Sequence, residues 1–163
     1  HYDSVRKGFE EDFSVVRRFR EEERLAEPKP NQCEITYVDH IEPCGVWSRH
    51  GQLDRVTSLW ATSGLDEIGD SAEEAQCKVS YVVPDKEGKP QARLRVSFQP
   101  AYREPDQMPI FVMKSVFRGR PREASLDASL DFFDHGRELI YRAFLSLTRA
   151  ELHSAWEPVD DDD

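Results

Sequence analysis

The chain has 163 residues, 38% hydrophobic and 33% charged, enough to bury one core without disulfides or a structural metal and too few for a second independent domain. Its 22 Lys and Arg stand against 32 Asp and Glu, a formal net charge of −10 that becomes about −6 when the terminal run Asp160 to Asp163 is set aside. This balance argues against a dedicated nucleic-acid or anionic-membrane surface, and no apolar run nears the roughly 18 to 20 residues that span a bilayer.

The opening His1-Tyr2-Asp3-Ser4 has neither the basic nor the apolar stretch of a secretory leader. A start at His rather than Met, with helical sequence at once, is expected of the C-terminal part of a longer polypeptide. Val5, Phe9, Phe13, Val16 and Phe19 recur at steps of four and three, which predicts an amphipathic helix over residues 5–25 that stops before Pro28 and Pro30. Residues 32–41 alternate, with Cys33, Ile35, Tyr37 and Ile41 on one side and Glu34, Thr36 and His40 on the other, as in a strand with one polar face.

Residues 42–70 read as an insertion-like loop with a short helical turn near Leu53, Val56, Leu59 and Trp60. Strands are predicted at 76–83, 91–99 and 110–117, and the polar turn 84–90 joins the first two as an antiparallel hairpin. Ala92, Leu94, Val96 and Phe98 alternate with Arg93, Arg95 and Ser97, whereas Ile110 to Met113 is apolar on both faces and suits a central or doubly covered strand. The strongest helix is predicted over 126–147, with Ser125 as N-cap, Asp127 in the first turn, and an apolar stripe of Leu126, Leu130, Phe133, Ile140, Phe144 and Leu147. Thr148 and Glu151 form a capping-box pattern for a last short helix carrying Leu152, His153 and Trp156. The expected fold class is α+β over residues 1–159: a mainly antiparallel four-stranded sheet, an N-terminal helix and a long C-terminal helix packed across the sheet, with an acidic tail at 160–163.

Three groups of residues could carry chemistry. His135 and Glu138 are spaced i and i+3 on the long helix, as a metal pair or proton shuttle requires, and His153 could add a third ligand. The alternative is a hydrated helix face. Glu34, Thr36 and His40 share the polar side of the first strand, the common material of acid–base catalysis, although any half-buried strand shows polar residues to solvent. Arg93 and Arg95, with Arg118, Arg120 and Arg122 around the next turn, form a candidate partner- or anion-binding site, against the plainer expectation of cross-strand pairing with Asp and Glu.

Cys33, Cys44 and Cys77 fit neither a disulfide framework nor zinc spacing, and acidic neighbours disfavour Cys33 and Cys44 as nucleophiles, so a reduced, cytoplasmic chain is expected. Trp47, Trp60 and Trp156 are expected to fold the excursion onto the sheet or to rim a surface. The chain has no glycine-rich phosphate loop, Gly-x-Ser-x-Gly elbow or His-Glu-x-x-His motif. No metal or cofactor is implied.

The strand Asn31-Gln32-Cys33-Glu34-Ile35-Thr36-Tyr37-Val38-Asp39-His40-Ile41 and the run from His135 through Phe144 and Thr148 to His153 and Trp156 resemble the C-terminal part of a sporadically distributed prokaryotic family of uncharacterised proteins. The resemblance covers under a quarter of the residues and omits the middle excursion. It implies a prokaryotic intracellular origin and a further N-terminal part, and assigns no activity. The favoured function is a non-enzymatic binding module for a protein partner or small ligand, on the sheet face or in the helix–sheet cleft, with neither nucleic acid nor membrane as partner and self-association left open. The competing readings are an enzyme gathering His40, Glu34, His135 and Glu138 into one site, and a structural half of a larger two-part fold.

Overall fold

The computed structural model describes residues 1–61 and 72–156. Residues 62–70 of the expected loop, Ser71, and 157–163 with the acidic tail therefore lie outside the described residues. The elements in chain order are α1 (Tyr2–Glu22), β1 (Cys33–Ile41), α2 (Leu53–Val56), β2 (Cys77–Pro84), β3 (Pro90–Arg103), β4 (Met108–Gly119), α3 (Leu126–Leu147) and α4 (Ala150–Ala155).

The four strands make one antiparallel sheet in the order β1-β4-β3-β2. The β2–β3 turn is tied by Asp85, whose Oδ1 accepts from the amides of Glu87 and Lys89, both at 2.9 Å. Gly88 takes the left-handed φ of 82° that this turn needs. The apolar β4 is central, as its composition predicts. Among the described residues a helix covers only one of its faces, however: Phe111, Met113, Ser115 and Phe117 are buried on the side of α3 and the excursion, while Lys114 and Arg118 on the other face are exposed.

Register decides which side chains share the inner face. Opposite Phe117, Ser115, Met113 and Phe111 stand Ile35, Tyr37, Asp39 and Ile41 of β1 and Leu94, Val96, Phe98 and Pro100 of β3. Fully burying a ring such as Phe98, Phe111 or Phe117 contributes about 1.5–3 kcal/mol each.

The long helix has the predicted bounds, and Ser125 caps it by accepting from the amide of Ala128 at 3.2 Å. It sits closest to the sheet at Gly136, where a Cβ would stand 2.5 Å from Phe117 Cδ1 and 2.8 Å from Ile35 Cγ2. Its buried residues are Ala128, Ser129, Leu130, Phe132, Gly136, Ile140 and Leu147, and Phe133 turns aside to meet α1.

The N-terminal helix starts three residues earlier than its apolar spacing predicts and has no buried residue. It leans on α3 through a Phe9–Phe133 edge contact at 5.1 Å, a Tyr2 hydroxyl that donates to Asp134 at 2.6 Å, and Arg6, also on Asp134. Burial and the Asp134 carboxylate both push the Tyr2 phenol upward.

The excursion after β1 folds onto one end of the sheet. Trp47 is buried against Phe111, its indole donating to Glu42 O at 3.1 Å, and α2 adds the fully buried Leu53 and Val56. Thr57 bridges to Thr148 at the end of α3. The expected Thr148–Glu151 capping box does not form: Arg149 is the N-cap of α4 and lends no side chain. The Thr148 hydroxyl instead donates back to Phe144 O at 2.6 Å, the local bond that a C-terminal Thr makes most cheaply.

Candidate functional site

Strand alternation separates the residues that an enzyme site would unite. Glu34, Thr36 and His40 point away from α3, because Ile35 between them packs under Gly136. His135 lies on the opposite side of the sheet with its ring 5.8 Å from Phe117, whereas His40 pairs with Val112, five positions further along β4. At about 3.3 Å per residue that is roughly 17 Å along the strand, across a full layer of backbone. Glu138 is exposed and paired with Arg142. His135 lines a groove of about 480 Å³ with Asp131, Asp134 and the β2–β3 turn. Among the described residues no group of three His, Cys, Asp or Glu could hold a metal.

The arginines do come together. Arg93, Arg95, Arg118 and Arg120 line one depression of about 320 Å³ at the end of the sheet, whereas Arg122 turns to the α3 groove. Arg93 and Arg118 stand directly opposite each other on β3 and β4. Such like-charge pairing costs a few tenths to about 1 kcal/mol unless an anion intervenes. Arg118 has Glu34 at 3.2 Å and Gln32 at 2.7 Å. Arg93, Arg95 and Arg120 have no ion pair among the described residues, so the expected cross-strand pairing with acids is met only at Glu34.

These arginines belong to a larger surface. The outward positions of the four strands carry Lys78, Arg93, Arg95, Lys114 and Arg118 against the single carboxylate of Glu34, and all are exposed. A chain of net charge −10 thus keeps one sheet face cationic. Composition could not reveal this, because average charge carries no direction; the signal was the parity of Lys78, Arg93 and Arg95 in their strands.

Two inward residues were missed by sequence reasoning. His50, in the excursion, is buried, and its Nε2 lies 3.0 Å from Ala101 O and 3.1 Å from Ile110 O. Carbonyls only accept, so Nε2 carries the proton and ties the end of the β3–β4 pair. Asp39 completes the odd-numbered series 33, 35, 37, 41 and faces the helix side of the sheet. Burial raises its carboxyl above the ordinary value, and the neighbouring His40 opposes this. Cys77 is half-buried, and burial likewise pushes its thiol up.

No family model, curated protein or solved structure matches this chain.

Proposed function

We propose that the protein is a non-enzymatic binding module whose bare sheet face takes an acidic segment of a partner protein. The observation that carries this reading is the unneutralised cation row, with Arg93 directly opposite Arg118 and a single carboxylate on the surrounding face. Guanidinium groups recognise carboxylates bidentately, and Val38 and Val82, both exposed between the charges, supply apolar contact. A single-stranded nucleic acid is the weaker fit: the outward positions from Glu34 to His40, Val112 to Arg118, Arg93 to Gln99 and Lys78 to Val82 hold no Phe, Tyr or Trp for base stacking. The prokaryotic, cytoplasmic setting belongs to the same proposal.

Fluorescence anisotropy with a short labelled Glu/Asp-rich peptide tests it. The peptide should bind with an affinity that falls as salt rises, and Arg93→Glu with Arg95→Glu should weaken it at least about tenfold. Tighter binding of a single-stranded oligonucleotide of equal charge, or an unaffected double variant, would overturn the assignment.

A further inference from the structure

A second site lies at the edge of the sheet, where β1 meets α3, and shares only Val38 and His40 with the outward face. At the free edge of β1, beneath the C-terminal half of α3, a cleft of about 430 Å³ is lined by Val38, Asp39, His40, Ile41, Phe144 and Trp156. Asp39 points to the face on which Cys33 and Ile41 are buried and Ile35 and Tyr37 half-buried. Among the described residues its carboxylate has neither a hydrogen bond nor an ion pair, and its only charged influence is His40. A carboxylate on a core face without a partner costs stability, and such a cost is tolerated where a ligand supplies the missing charge.

The opposite wall is aromatic and fixed. Phe144 stacks on Trp156 at 5.5 Å and on His153 at 6.3 Å, and His153 meets Trp156 at 5.8 Å. The Thr148 hydroxyl spends its hydrogen on Phe144 O, so the 2.5 Å contact with His153 requires Nε2–H to donate to Thr148 Oγ1, which locks the imidazole in the stack. A carboxylate and two aromatic rings lining one cleft open to solvent complement an organic cation: the carboxylate provides charge and the rings provide quadrupole attraction. We propose that this cleft binds an alkylammonium ion, held by Asp39 against Phe144 and Trp156.

Isothermal titration calorimetry on the whole chain tests the site, with tetramethylammonium chloride and n-butylammonium chloride as probes, sodium chloride to match ionic strength and tert-butanol as the uncharged counterpart. Both ammonium ions should bind saturably and tert-butanol should not. Asp39→Asn should weaken binding about tenfold or more through loss of the charge, and Trp156→Leu about threefold through loss of the π face. Near-ultraviolet circular dichroism confirms that each variant is folded, and the contrast between tetramethylammonium and tert-butanol decides the question in the unmutated chain as well. An Nα-acetyl-lysine amide arm separates the sources of the cation: tighter binding than n-butylammonium assigns the site to a protein side chain, weaker binding to a free amine. Absence of saturable binding, equal binding of tert-butanol, or undiminished binding by a folded Asp39→Asn variant would overturn the proposal.

Discussion

Replacing Gly136 with Ala puts a methyl group 2.5 Å from Phe117 Cδ1 and 2.8 Å from Ile35 Cγ2, where carbon atoms rest at about 3.5–4.0 Å. One partner must move by about 1 Å. Phe117 is 1% exposed, lies in the central strand and packs on Phe132 at 4.6 Å, so it cannot yield without disturbing the core. The helix must lift instead. Overpacking of this kind costs about 1–3 kcal/mol, and the overlap with two side chains puts it near the upper end; the higher helix propensity of Ala returns about 1 kcal/mol. The expected net loss is about 1–2 kcal/mol, a fall in Tm of roughly 3–6 °C for a domain of this size. Gly8 of α1 is the internal control, since nothing lies within 4 Å of the Cβ that Ala would add there. Urea unfolding of both variants should show Gly136→Ala with a lower midpoint and Gly8→Ala with an equal or higher one, at unchanged slope. A Gly136→Ala variant as stable as Gly8→Ala would refute the seating of α3 on β1 and β4, and with it the wall of the Asp39 cleft.

Asp39 makes a pH-dependent prediction with a definite sign. Its folded-state pKa is raised, so between the unfolded value of about 4 and the higher folded value the native state holds more protons than the unfolded one, and wild-type stability falls as pH rises through that window. The stability of Asp39→Asn minus that of wild type should therefore grow with pH across the window and level off above it; a flat or falling difference in urea titrations would contradict the burial of this carboxylate. Ser115 is fully buried and its hydroxyl has no partner among the described residues, so Ser115→Ala should raise stability by about 1 kcal/mol, and a loss of that size would reveal a hydrogen bond there. His50→Leu leaves the carbonyls of Ala101 and Ile110 without their donor and should cost about 2–3 kcal/mol, with amide exchange accelerated first at the β3–β4 end; protection unchanged at that end would show that the ring does not tie it.

Much of the fold was legible because its signals are local. The period of the stripe from Leu126 to Leu147, the Ser125 cap, the alternation in β1 and β3 and the polar turn at 84–90 each depend on residues within a few positions of one another. The Thr148–Glu151 pattern misled because α4 begins one residue later, with Arg149 as its N-cap, which leaves Thr148 as the C-cap of α3 with its hydroxyl on Phe144 O. The arginine group was legible as a list of residues. Its opposition across β3 and β4 was not, since that requires the register of strands some twenty positions apart.

By itself, the sequence determined the element types, the antiparallel hairpin, the cap of the long helix and the overall acidity, all properties of short windows or of sums. Tertiary structure alone decided which face of the sheet α3 covers. That choice turned Asp39 inward, left Lys78, Arg93, Arg95, Lys114 and Arg118 outward, and divided His40 from His135 by a layer of backbone. The physical reason is the two-residue period of a strand: the seating of one helix at Gly136 assigns every side chain in the sheet to one side or the other, and only the packed chain specifies that seat.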